Sequence, residues 1–102
     1  MSRFLNSGEI YVETVTITVA GTAQQATAFK VPVGQSVVFK AHPSNTGYIK
    51  IADTAAHAQA AYGTGNVPLG ASEAITYQIT DASTPYIDAT VSGEKVIVTC
   101  EK

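Results

Sequence analysis

The sequence predicts an all-β domain, an antiparallel β-sandwich or compact jelly-roll-like barrel of about seven strands with one long Ala-rich loop. Three observations carry that expectation. Apolar residues recur at every second position in one stretch after another, the period of a half-buried strand. Clusters of Gly, Pro, Asn and Ser punctuate those stretches. No stretch carries the 3.6-residue periodicity of a long helix.

A chain of 102 residues has the length of one hydrophobic core. The expected division is a flexible N-terminal arm at residues 1–8 and a single β domain at residues 9–102. A chain this long buries roughly two-thirds of its unfolded surface, enough to fold without a disulfide or a structural metal. The arm, MSRFLNSG, has no period and only Phe4 and Leu5 as apolar anchors. Residues 10–19 then alternate, with Val15, Ile17 and Val19 on one face and Thr14, Thr16 and Thr18 on the other. That second face is either wet or turned to a partner. A turn at residues 20–22 leads to an expected strand at 24–31, with Thr27, Phe29 and Val31 on one face, which Pro32 stops.

The stretch 33–51, VGQSVVFKAHPSNTGYIKI, reads as a hairpin. Its arms put Val37, Phe39 and Ala41 on one face and Ile49 and Ile51 on another, and HPSNTG makes the polar loop between them. Residues 52–70 are the long Ala/Gly/Thr-rich excursion, with one short helical turn that Asp53 is placed to cap. Loops of this length carry function or are disordered. A further strand is expected at 74–80, with Ile75, Tyr77 and Ile79 on one side. A second hairpin joins 86–91 to 95–101 through Ser92 and Gly93, with Ile87, Ala89 and Val91 inward on its first arm. Val96, Val98 and Cys100 share a face of its second arm, which makes Cys100 a buried filler and not a reactive thiol.

Composition narrows the function. The net charge is −2 and the six Lys and Arg are scattered, so no basic stripe exists to neutralise phosphates and a nucleic-acid partner is not expected. A single cysteine allows no intramolecular disulfide, which suits synthesis in a reducing cytoplasm. Neither a leader peptide nor a membrane span is expected. Only 14% of residues are charged, and interface cores are depleted in charge in the same way.

No catalytic, cofactor or metal constellation emerges. His42 and His57 stand outside any His-x-His, His-Glu-x-x-His or Cys-x-x-Cys spacing. Ser44 beside His42 reads as a turn residue, no Gly-x-Ser-x-Gly elbow occurs, and Gly63-Thr64-Gly65-Asn66 lacks the lysine and helix of a phosphate cradle. Asp53, Asp81 and Asp88 are expected as capping or solvated carboxylates. The chain is therefore expected not to be an enzyme.

At KAHPSNTGYIKIADT, NVPLGASEAITYQIT and DASTPYIDATVSGEKVIVTC, over residues 32–102, the pattern resembles small structural proteins of tailed bacteriophages. The shared grammar is a strand into Asn-Thr-Gly, an Ile-rich strand, Pro-Leu-Gly-x-x-Glu after a variable loop, an alternating strand and a closing hairpin. The resemblance implies a virion component made in the host cytoplasm: a head decoration or cement protein. Such a protein would bind the major capsid protein as a homotrimer and need no cofactor. Contact residues are then expected on the arm (Arg3, Phe4, Leu5), on the Ser44, Asn45, Thr46 and Gly47 turn, and on the loop carrying His57 and Tyr62. The alternatives are a tail, baseplate or fibre-associated β module, or a carbohydrate- or receptor-binding module using Tyr48 and Tyr62.

Overall fold

The computed structural model describes residues 10–101. Arg3, Phe4 and Leu5 of the expected arm lie outside the described residues. Seven strands form two antiparallel sheets, as the alternating pattern predicts. They are β1 (Ile10–Ile17), β2 (Val37–Ala41), β3 (Ile49–Ala52), β4 (Val67–Leu69), β5 (Ala74–Tyr77), β6 (Tyr86–Ala89) and β7 (Glu94–Glu101), with one short helix, α1 (Ala55–Gln59), between β3 and β4. The four-stranded sheet has the order β1-β7-β2-β5 and the three-stranded sheet the order β4-β3-β6. Among the described residues no helix is long and apolar enough to cross a membrane.

Both expected hairpins are sheet crossings. β2 pairs with β5 and β7, whereas β3 pairs with β4 and β6. Likewise β6 and β7 lie in different sheets. The reason is burial. Side by side in one sheet, β2 and β3 would turn their apolar faces the same way and leave them to be covered by something else. In opposite sheets Val37, Phe39 and Ala41 face Ile49 and Ile51 across the core, and all five are buried. The seven-residue connection HPSNTGY is long enough to bridge the roughly 10 Å between packed sheets, which a two-residue turn is not.

The two crossings meet and are fastened to each other. Buried Glu94, first residue of β7, accepts hydrogen bonds from the Thr46 and Gly47 amides and from the Thr46 hydroxyl. Asn45 pairs with the Lys95 backbone reciprocally, donating at 2.8 Å and accepting at 3.0 Å, so its side chain acts as one more rung of ladder. Tyr48 and Thr90 exchange two further bonds, each of 2.9 Å. Gly47 sits so close to this junction that a Cβ there would overlap Thr90 Oγ1 and Val91 Cγ2.

Residues 24–31 are not a ladder strand. Their Gln- and Ala-rich sequence is poor in the β-branched side chains that fit a pleated surface. They make isolated bridges at Gln24 to Ile87 and Lys30 to Asp81. Between these bridges carboxylates receive the amides: Glu13 takes Thr27 N–H at 3.1 Å and its hydroxyl at 2.8 Å, and Asp81 takes Phe29 N–H at 3.1 Å. Tyr11 stacks on Phe29 with ring centroids 4.3 Å apart and donates to Glu13. Burial first, then Glu13, pushes the Tyr11 hydroxyl up to about 12. The seventh strand is instead β4, whose Pro68 stands opposite Lys50 on an edge strand, where a missing N–H is tolerated.

Strand ends are shorter than the alternation predicts. Val19 and Val91 lie past β1 and β6 and are exposed, while Val15, Ile17, Ile87 and Ala89 are buried as expected. Cys100 is buried with Val96 and Val98. Thr54 caps α1 in place of Asp53, accepting the His57 amide at 3.1 Å. The excursion folds over the outer side of the three-stranded sheet through Ala58, which is why all four residues of β3 are buried. Asp88 is consequently fully buried and not solvated.

Three substitutions test the junction and the Asp81 turn. Glu94→Ala leaves the crossing's amides without their acceptor and should lower unfolding free energy by about 2 kcal/mol in urea titrations. Gly47→Ala should destabilise the same junction, with the loss spread over both crossings. Asp81 is held below the usual carboxylate range by the Ser83 amide, then by the Ser83 hydroxyl and the Phe29 amide. A carboxylate so lowered adds stability above its unfolded value of about 4 and loses it as pH falls through the native value. Asp81→Asn should thus melt below wild type at pH 7, and melting scans from pH 7 to pH 3 should show that gap closing.

Candidate functional site

The two edge strands on one side of the sandwich, β4 and β5, leave an open cleft of about 610 Å³. Ile51 and Val67 of one sheet and Tyr77 of the other form its walls, with Ile79 and Pro85 from the chain beyond β5. Burial raises the Tyr77 hydroxyl above its ordinary value. His57 stands at the cleft, its Nδ1 2.7 Å from Asp53 Oδ1 one helical turn earlier. The ring lowers Asp53 chiefly through that hydrogen bond. Gly65, at φ +74°, lies against the ring, and a Cβ there would come within 3.2 Å of its Cγ and Cδ2. The imidazole is thus held by one nitrogen and one face.

The excursion owes its shape to Asn66. This side chain, 9% exposed, donates to His57 O at 2.8 Å and accepts the Gly63 amide at 2.8 Å. Longer contacts reach the Ala60, Ala61 and Thr64 carbonyls. One amide therefore ties the end of α1 to the chain that follows it, from His57 to Thr64.

The residues singled out from sequence fall into two groups. Asn45, Thr46 and Gly47 are occupied by Lys95 and Glu94, and Ser44 Oγ lies 2.8 Å from His42 Nδ1. The same ring nitrogen also receives the Ser44 amide, so that contact closes the turn. Tyr62 meets Tyr48, the residue after Gly47, edge to face with centroids 4.8 Å apart, so the excursion and the crossing share one exposed aromatic pair. An interplanar angle of 81° gives no flat platform of two ring faces. His57 belongs to the cleft and not to this pair. Among the described residues no group of three or more His, Cys, Asp and Glu side chains is placed to hold a metal.

Sequence reasoning missed the Asp53–His57 contact, although an acid just ahead of a short helix and a histidine four residues on signal it. It also missed Asn66 and Glu94, whose roles depend on partners 2 to 48 positions away.

No family model matches this chain, and no curated protein matches it. Among solved structures it is similar to an RmlC-like cupin protein from Desulfovibrio desulfuricans, at 13% identity over 95% of this chain and 86% of that one, with a TM-score of 0.43. Likeness at this level says nothing about activity or partners.

Asn66→Ala should release the excursion while sparing the sandwich. Limited proteolysis should cut between residues 57 and 66 much faster than in wild type, and urea unfolding should register a loss of about 1–2 kcal/mol.

Proposed function

We propose that this chain is a structural protein of a tailed-bacteriophage virion, a head decoration or cement protein that meets other protein through the outer face of its four-stranded sheet. The composition of that face carries the reading. Two complete cross-strand rows lie on it: Val12, Thr99, Val38 and Thr76, then Thr14, Ile97, Lys40 and Ala74. The flanking pairs are Ile10 with Glu101 and Thr16 with Lys95. An antiparallel sheet facing water usually alternates polar outward. Here Ile10 and Val12 are 66% and 60% exposed, and Lys40, Lys95 and Glu101 are the only charges among the described residues of the face. Eight of these twelve residues are β-branched, four of them Ile or Val, and such apolar area turned outward is what the core of a protein interface uses.

The face also continues past the strands. Beside Ile10 and Val38 a shallow recess is lined by Gly34, Gln35 and Ser36, and the neighbouring Val33 is fully exposed. A closed threefold assembly would cover part of this surface and leave the rest for the major capsid protein. Binding the assembled shell and not its dispersed subunits would stabilise the shell by mass action. Such a role needs area and shape, with no reaction centre. The Tyr48–Tyr62 pair and the Ser44–Gly47 turn would lie at the margin of the contact.

Co-sedimentation tests this reading. Purified protein should saturate emptied heads of the phage that encodes it, as a trimer by light scattering, and should ignore dispersed capsid subunits. Val12→Lys combined with Ile97→Lys should reduce head occupancy at least about tenfold without altering the melt. Binding to tails in place of heads would move the protein to the tail or baseplate, and binding to neither would overturn the proposal.

A further inference from the structure

Under the excursion, on the outer side of the three-stranded sheet, Lys50 and Asp88 stand directly opposite each other on β3 and β6. Both are buried, at 6% and 0% exposure. Lys50 Nζ is 3.6 Å from Asp88 Oδ2, too far for a hydrogen bond. Nζ instead donates to the Ala60 carbonyl at 2.9 Å, and Asp88 Oδ1 accepts the Gly21 amide at 3.0 Å. Oδ2 is buried and has no hydrogen-bond partner among the described residues. As an ion pair this is a poor arrangement, since a buried charged pair repays its desolvation only with close contact and every lone pair satisfied.

The same atoms suit an amide well. An amide between Lys50 Nζ and Asp88 Cγ would carry one N–H and one carbonyl oxygen, and both already have partners: Ala60 O for the N–H and Gly21 N–H for Oδ1. The atom left over is Oδ2, the one without a partner. We propose that Lys50 and Asp88 condense to an intramolecular isopeptide bond that clamps β3 to β6.

The step balances without a co-reactant. A proton passes from the Nζ ammonium to Oδ2, giving a free amine and a carboxylic acid, so that neither group carries a charge that burial would penalise. The nitrogen lone pair attacks Cγ, and the negative charge that develops on Oδ1 is met by the Gly21 N–H, the geometry of an oxyanion site. A second proton leaves nitrogen for the Oδ2 hydroxyl, the Cγ–Oδ2 bond breaks, and one water departs. Holding amine and carboxyl together in a dry pocket supplies the effective concentration that favours condensation over hydrolysis. The inference is independent of what the outer face of the four-stranded sheet binds.

Intact mass spectrometry of the denatured protein decides it. After incubation at neutral pH until the mass is constant, wild type should be lighter than its sequence mass by one water, allowing for the initiator methionine. A protease digest should yield a branched peptide joining Lys50 to Asp88, located by fragmentation. Lys50→Met should keep the water and melt at lower temperature. A wild-type mass equal to the sequence mass would overturn the proposal. So would a loss of water that persists in Lys50→Met, which would mark succinimide formation at an aspartate.

Discussion

The structure depends on consecutive strands changing sheets at two places that are tied together. Glu94 is the tie: from the first position of β7 it gathers the Thr46 amide and hydroxyl and the Gly47 amide of the other crossing. Once β2 and β3 are sent to opposite sheets there, their apolar faces meet across the core and β7 is free to lie between β1 and β2. The rest follows by exclusion. The β4 and β5 edges are left flanking a cleft, and the outer side of the three-stranded sheet is left for the excursion to cover.

Much of this was legible in the sequence because period-2 alternation is a local signal. Val37, Phe39, Ile49, Ile51, Ile87, Val96 and Val98 are buried where the pattern puts them. What failed was pairing, which is not local. A run such as Phe39-Lys40-Ala41-His42-Pro43-Ser44-Asn45-Thr46-Gly47 reads the same whether its strands turn back beside each other or cross the core. The carboxylate that decides between these, Glu94, is 47 positions from Gly47. Residues 24–31 failed for a related reason. Between its two backbone bridges the segment gives the Thr27 and Phe29 amides to Glu13 and Asp81 side chains, so it runs like a strand without a strand's ladder or propensity. β4 was hidden by its three-residue length and by Pro68, which reads as a stop unless the strand is known to lie at an edge.

The site residues divide along the same line. Ser44 to Gly47 and Tyr62 read as exposed loop positions in the sequence, and the structure gives them internal partners that tie down the end of the sandwich they occupy. His57 acquires its orientation from Asp53, four residues before it, and from Gly65 and Asn66, whose contacts the sequence does not announce. The outer face of the four-stranded sheet needed both kinds of information. Its Thr-rich alternation along β1 is in the sequence, but the rows that carry Val12 through Thr99 to Val38 exist only once β7 is known to separate β1 from β2. The broad face of Ile, Val and Thr is the surface the proposed role would use, and the cleft and the buried Lys50–Asp88 pair lie elsewhere on the fold.

The proposed role depends on which surface would meet other protein. Hydroxyl-radical footprinting of the protein free and bound to phage heads addresses that most directly. Val12, Val38 and Ile97 should lose reactivity on binding while Val67 and Tyr77 in the cleft keep theirs. Protection confined to the cleft, with the outer face as reactive as in the free protein, would contradict it.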